Sequence, residues 1–289
     1  MHNTNIIIFS KNRTLQLKSL LRSANYYSDI DDSEITILYK TEPEIQYEPL
    51  ISEFGCNFVK QKGNFIDDLK NIVTSSTKEY IMLLVDDLIF KDKFSLREIE
   101  SLLTTHNDID CFSMRLGKHI LGGKPPEFKL LDHKILVWDT KPGLGTIWNF
   151  FWELSSSIYR KSLVLEYLNK CKPSKITYPN PLETHYYSQM PNYLRSKKLI
   201  NRICIGIKFV LSAKTNRMAC YQTSKAFTQG VNLVAERGIP NTDQKSPLDL
   251  HRKMEEGYII DYNSILRINN DWPNTGLKHF RLVNDIKLD

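Results

Sequence analysis

Cysteine is scarce in this 289-residue chain, and what there is stands apart. The five residues Cys56, Cys111, Cys171, Cys204 and Cys220 are odd in number and never form a CxxC pair. Neither a disulfide framework nor a zinc site is expected from them, and buried thiols in a reducing compartment fit better. No GxGxxG follows the first apolar run and no GxxxxGK[ST] occurs, which removes the dinucleotide fingerprint and P-loop chemistry. No apolar run reaches the roughly 18 residues needed to cross a bilayer. The start, Met1-His2-Asn3-Thr4-Asn5, has no basic n-region and no cleavage site, so a cytoplasmic location is expected. Internal repeats and low-complexity tracts are missing as well.

What the chain does have is material for a core. With 41% hydrophobic and 11% aromatic residues it is globular, sized for one large α/β domain with a tail or two small domains. The net charge of +6 favours an anionic partner without deciding between nucleotide, nucleic acid and lipid headgroup. There is no aromatic RNP pattern, zinc finger or dense Lys/Arg cluster, so nucleic acid is not the expected partner. From His185 to Ala235 acidic residues are absent, while Arg195, Lys197, Lys198, Arg202, Lys208, Lys214, Arg217 and Lys225 all fall inside. This basic 195–217 stretch reads either as a peripheral contact with anionic lipid or as a buried segment, Leu199 to Ala213, with its basic ends in water. The second reading is slightly favoured.

Short β-type runs alternate with helical patterns through the first half. Strands are expected at Asn5–Phe9, Glu34–Tyr39, Cys56–Lys60, Tyr80–Val85 and Asp110–Met114, with helices between them. Such alternation implies a parallel, doubly wound sheet. Gly117 to Gly145, with five glycines and three prolines, reads as loop carrying one strand at Ile135–Asp139. Helices follow at Arg160–Leu168 and Leu248–Glu256, the latter ended by Gly257.

The strongest chemical signal is Asp86-Asp87. The apolar run Tyr80 to Val85 has the length of a strand buried on both faces, and it stops at two adjacent carboxylates. Ligands bind at the carboxyl end of such strands, and buried acids are unfavourable without a cation. A divalent metal bridging them to a phosphate is the simplest explanation. An isolated Asp-Asp is more often a turn beside solvent; the apolar Leu88-Ile89-Phe90 that follows argues against that here. After the first strand, Phe9-Ser10-Lys11-Asn12-Arg13 offers Lys11 and Arg13 to phosphate, or else simply starts a solvated helix. Trp148, Phe150, Phe151 and Trp152 could stack on a sugar ring, although such clusters are usually core. His185 and His251 stand in no recognisable motif.

In order along the chain, these segments resemble a GT-A glycosyltransferase close to the family-2-like enzymes. Asn5 to Arg13, running on to Leu20-Leu21, looks like their opening strand, polar turn with Arg, and helix. Gly63-Asn64-Phe65 to Asn71 resembles their second nucleotide-contacting helix, and Val85-Asp86-Asp87 falls where their DxD motif stands. Trp152 to Lys161 is similar to their acceptor-side segment, and Asn180-Pro181-Leu182-Glu183 lies where they carry an acidic "ED". The match covers roughly residues 5 to 190; it rests on the order of the motifs rather than on any single one. Val85 replaces one acid of the usual triplet, and Leu182 stands where the first acid of "ED" would be.

The resemblance implies a GT-A-like, mostly parallel sheet flanked by helices, with a catalytic domain over 1–240 and a C-terminal helical extension over 241–289. The nucleotide-binding half would run to about 115 and the acceptor half from 116. It makes Asp87 the metal ligand, with Asp86 near the sugar or ribose and also close to the metal, which would be Mn2+ or Mg2+. Phe9, Ser10, Lys11, Arg13 and Lys70 become nucleotide contacts, Glu183 the general base and Glu153 its reserve. The expected activity is metal-dependent, inverting transfer from a UDP- or GDP-linked sugar to a glycan or lipid-linked acceptor, in surface polysaccharide synthesis. A non-catalytic sugar-nucleotide or glycan-binding relative is the alternative. A sugar nucleotidyltransferase is weaker, because Ser10 to Arg13 has none of the glycines such a loop needs.

Overall fold

The structure is a computed structural model that describes residues 1–140, 146–188, 215–232 and 245–285, the side chains of 186–188 excepted. Its first half runs β1 (Thr4–Lys11), α1 (Thr14–Tyr27), β2 (Ile35–Lys40), α2 (Glu48–Glu53), β3 (Asn57–Lys60), α3 (Phe65–Ser75) and β4 (Tyr80–Val85). The helices start where their caps allow. Asn64 accepts the Ile66 N–H at 2.9 Å to open α3, and Ser95 accepts the Glu98 N–H at 3.2 Å to open α4 (Leu96–Thr105).

Nine strands form the main sheet, in the order β3-β2-β1-β4-β9-β6-β10-β8-β7. The later members are β6 (Cys111–Ser113), β7 (Lys129–Leu131), β8 (Ile135–Asp139), β9 (Ser157–Arg160) and β10 (Arg217–Tyr221). β3, β2, β1 and β4 pair in parallel, as the strand–helix alternation requires, while β8 and β9 run against the rest. The sheet is therefore the mostly parallel α/β sheet read from the sequence, with a reversed strand at its centre.

β9 is the main difference from the sequence reading, which takes Trp152–Lys161 as a segment of no stated structure. Its four residues are too few to show a period, and β4 and β6 complete their ladders only by accepting them. Because β9 is antiparallel, Ser157 lies opposite Leu83 and the loop before it is delivered to the edge where β4 ends.

Alternation along the strands divides the core between two faces. Ile6, Ile8, Met82 and Leu84 pack on one side with Leu17, Leu20 and Leu21 of α1 and with Ile99 and Leu103 of α4. Ile7, Phe9, Ile81 and Leu83 pack on the other with Ile66, Leu69 and Val73 of α3. Val164 and Leu168 of α5 (Lys161–Lys170) join that second layer.

Beyond the main sheet, β5 (Leu88–Phe90) pairs antiparallel with β11 (Ala226–Thr228). The C-terminal segment supplies a helix, Pro247–Glu255, and a two-stranded ribbon of β12 (Tyr258–Ile260) and β13 (Leu282–Asn284), where the sequence suggests helix alone. Gly257, at φ +84°, makes the turn out of that helix. The segment covers the outer side of α1: the Ile260 N–H donates to Ser19 Oγ at 3.0 Å, and Tyr27 donates to the Tyr262 carbonyl at 2.9 Å. Among the described residues no helix is long and apolar enough to cross a membrane. Most of the basic 195–217 stretch, including Leu199 to Ala213, lies outside the described residues.

Candidate active site at the carboxyl edge of the sheet

A cavity of about 360 Å³ opens where β1, β2 and β4 end, a size within the range of ligand clefts. Phe9, Ser10, Lys11, Arg13, Asp86 and Asp87 line one side of it. Arg115, Phe150, Leu154 and Glu183 line the other.

The first side is built by two strand ends. β1 and β4 pair in register up to Phe9 and Val85, and the Asp86 N–H then donates to the Phe9 carbonyl at 3.1 Å. Asn12 sits in the left-handed region at φ 57°, a conformation that Asn tolerates better than most residues, and its side chain accepts the Glu42 N–H at 2.9 Å. That turn sends Arg13 back across the strand ends. Its Nη1 donates to Asp86 at 2.9 Å and to Asp87 at 3.0 Å. Its Nε donates to Asn232 Oδ1 at 2.8 Å, and its Nη2 donates to the Asn232 carbonyl. The cation that the two carboxylates call for is thus present within the fold as a buried guanidinium.

The charges respond to this burial. Asp86, which also accepts the Lys11 N–H at 3.0 Å, is held above the usual carboxylate range by desolvation, with Asp87 adding to the effect and Arg13 opposing it. Burial acts to lower the Arg13 pKa, but Asp87 and Asp86 overcome it and hold the guanidinium firmly charged. Asp87 is the more open of the pair, with its side chain 15% exposed. Its carbonyl accepts the Gln229 N–H at 2.7 Å, which ties it to the chain leaving β11.

No group of three or more His, Cys, Asp or Glu side chains stands ready for a metal among the described residues. A hard divalent cation can nevertheless be held by one or two carboxylates when a substrate's phosphates supply further oxygens. Asp87, open to the cavity, fits that arrangement; Asp86, enclosed by Arg13 and the Lys11 N–H, does not. His251 is distant from this role, buried and bonded to Thr14 Oγ1 at 2.8 Å. His185 neighbours Tyr167 and Cys171.

The second side holds a pair of acids with unequal roles. Glu183 lies on α6 (Pro179–Ser188), which is anchored by buried Leu182 and by Tyr167, whose hydroxyl donates to the Leu182 carbonyl at 2.5 Å. Glu183 Oε1 accepts the Leu154 N–H at 2.7 Å. Burial pushes its pKa up to about 7, against the lowering effects of that N–H and of Arg115. A carboxylate tuned so close to neutrality suits a general base.

Glu153, the reserve base in the sequence reading, does not line the cavity. It is 5% exposed, ion-paired to Arg115 Nη2, and accepts from Ser157 at 2.5 Å and Ser113 at 3.3 Å. Its Oε2 is taken up by Arg115 and its Oε1 by the two serine hydroxyls, so neither oxygen is turned to the cavity. Lys70 is also absent from the cavity wall; it lies on α3, close enough to Cys171 on the α5 side to act on that thiol. Of the four clustered aromatics, Trp148, Phe151 and Trp152 are buried, and Phe150 alone lines the cavity.

Arg115 is the residue that sequence reasoning missed. It follows β6 and donates to Glu153 and, at 3.4 Å, to Thr228 Oγ1, with Glu183 and Asp87 near enough to favour its charged form. A lone arginine before a glycine-rich loop carries no motif, and its acidic partner is 38 residues away. Asn232, which orients Arg13, lies 219 residues from it and was equally invisible.

No protein-family model matches the chain. Among solved structures it is similar to S. aureus TarS at 13% identity and a TM-score of 0.46, covering 76% of this chain and 35% of that one. It is also similar to residues 1–349 of TarS in complex with UDP, at 11% identity and a TM-score of 0.45, covering 76% and 57%. A curated relative, the bifunctional glycosyltransferase pgtA of Dictyostelium discoideum, is 31% identical over 181 residues. That match covers 54% of this chain and 23% of the relative, so the chain spans about a quarter of the relative's length. That relative is a glycosyltransferase, the class of enzyme that the ordered segments from Asn5 to Glu183 resemble.

Proposed function

We propose that this protein transfers a sugar from a nucleoside-diphosphate donor to an acceptor hydroxyl. The observation that carries the reading is the pairing, across one cavity, of the Arg13–Asp86–Asp87 cluster with a glutamate whose pKa is pushed up to about 7.

Glu183 takes the proton from the acceptor hydroxyl as its oxygen attacks the anomeric carbon. The bond from that carbon to the diphosphate oxygen breaks, and its electron pair leaves on the diphosphate. Attack opposite the leaving group inverts the anomeric centre. Lys11, which lines the cavity, supplies positive charge where charge builds on the departing group, while Arg13 and Arg115 are paired with carboxylates and act as fixed hydrogen-bonding groups of the wall. Glu153 fixes Arg115 in place through its ion pair. Asp87 would hold Mn2+ or Mg2+ together with the donor's phosphates, and such a cation supplies further stabilisation of the leaving diphosphate. A glycan or lipid-linked acceptor of surface polysaccharide synthesis is the extension of this reading for which the sequence resemblance is the support.

Release of nucleoside diphosphate from UDP- and GDP-linked sugars, measured with and without Mn2+, tests the activity. The expected result is slow donor hydrolysis that depends on Glu183. A second reading, a sugar-nucleotide-binding relative without turnover, is favoured by one observation: Arg13 already neutralises the aspartates. Donor binding by calorimetry with no turnover in any acceptor mixture would select it.

A further inference from the structure

Trp272 and Leu121 are displayed to water on backbone that is held in place. Trp272 is 50% exposed and Leu121 61%. The Leu121 N–H donates at 2.7 Å to the carbonyl of Asp271, the residue before Trp272, so the two side chains leave neighbouring stretches of backbone. Around them the chain is pinned. The Trp272 carbonyl accepts from Asn270 Nδ2 at 2.7 Å, the Pro273 carbonyl accepts the Thr228 N–H at 2.8 Å, and Ile120 and Asn270 are buried. A single exposed apolar side chain is ordinary. Of the eight large apolar side chains exposed among the described residues, however, Leu121, Leu266, Trp272 and Leu277 lie on the two segments that meet here, 117–126 and 263–280. Grouped exposure of this kind marks a contact surface.

The charges on the same two segments select the partner. Lys118, Lys124, Arg267 and Lys278 are exposed there, against one acid, Asp271. Arg267 reaches Asp92 at 3.4 Å and is still 75% exposed. Protein interfaces are depleted of lysine, whereas lysines beside an exposed indole and leucines are the composition of a surface that meets anionic lipid. On such a surface the indole sits at headgroup level with its N–H toward water, and the leucines reach the acyl boundary. The basic groups stay among the phosphates.

Both segments lead into the cavity wall. Asn274, two residues beyond Trp272, lines the cavity. Gly122, beside Leu121, lies against Ile147, whose carbonyl accepts the Phe150 N–H at 3.2 Å, and Phe150 lines the cavity as well. We propose that the surface around Leu121 and Trp272 docks this protein on an anionic bilayer, which brings the cavity beside the lipid headgroups. The surface is separate in sequence from the basic 195–217 stretch, and its docking stands whether or not the cavity transfers a sugar.

Co-sedimentation of the full chain with vesicles tests the docking, using phosphatidylcholine alone and phosphatidylcholine with about one-third phosphatidylglycerol. Trp272→Ala and Leu121→Ser each remove exposed apolar area, and Lys118→Glu with Lys278→Glu reverses two charges. Thermal melting verifies that the variants fold, and Trp272→Tyr keeps a ring suited to the interface. The wild type should bind the anionic vesicles at least tenfold more tightly than the neutral ones. Trp272→Ala and Leu121→Ser should each weaken that binding about tenfold, Trp272→Tyr should retain most of it, and the charge reversals should abolish the preference for anionic lipid. No binding to either vesicle by the wild type, or binding that Trp272→Ala and Leu121→Ser both leave unchanged, overturns the proposal. Equal binding to both vesicles overturns the assignment to an anionic surface. Self-association that Trp272→Ala abolishes, with no vesicle binding, gives the surface to a second copy of the chain and overturns the proposal as well.

Discussion

Arg13 and Asp86, 73 residues apart in the chain, meet at 2.9 Å with both side chains almost wholly out of water. A buried ion pair adds little net stability, but breaking one by removing a single partner leaves an uncompensated charge.

Arg13→Met should therefore cost about 3–5 kcal/mol of stability. Asp86→Asn in the same chain should recover part of the loss, because the stranded carboxylate is removed. Urea denaturation of the two single variants and the double variant measures the coupling; additive losses would show that the pair does not act as a unit.

Glu183→Gln should lower turnover by roughly 100-fold or more, as expected for loss of a general base. In the wild type the rate should rise with pH through about 7, since the base works deprotonated, and the variant should lack that rise.

The same shift makes a stability prediction of fixed sign. Between the ordinary value of 4.5 and about 7 the folded chain holds a proton on Glu183 that the unfolded chain has released. Stability then falls as pH rises across that window, and the penalty is complete above pH 7. Glu183→Gln should melt higher than wild type at pH 8, by the equivalent of about 1–3 kcal/mol, with little difference at pH 4.

Arg115→Met should strand Glu153 within the fold and destabilise by about 3–5 kcal/mol. Adding Glu153→Gln should restore much of the stability and none of the turnover. Melting curves and donor hydrolysis on the same three proteins separate the packing role of the pair from its role at the cavity.

For the metal, Asp87→Asn should abolish any stimulation of donor hydrolysis by Mn2+. Paramagnetic resonance of Mn2+ should show binding to the wild type that strengthens when UDP is present. Stimulation of hydrolysis that persists in Asp87→Asn would place the cation elsewhere.

The legible part of this protein is the part written in local sequence. β1, β2 and β4 are apolar runs that a doubly wound sheet must bury, and Asp86-Asp87 stands out because polar groups end such a run abruptly. Cap residues such as Ser95 announce helices for the same reason. What stayed hidden depends on contacts distant in sequence. Glu153 looks the same in sequence whether it faces solvent or pairs with Arg115, and β9 has no pattern apart from the neighbours that accept it. Arg13 is legible as a phosphate candidate, but its engagement with the aspartates and Asn232 depends on residues 73, 74 and 219 positions away.

The bond between Arg13 and Asn232 also bears on the order of folding. It joins residues 219 apart, so closing it carries the entropy of a long loop and belongs to the slow, non-local class of contacts. During synthesis β1 and β4 can pair long before Asn232 exists, which leaves the guanidinium and the two aspartates waiting for the segment that orients them. A nascent chain stopped short of Asn232 would have its sheet but an unfinished cavity, and binding competence should emerge last.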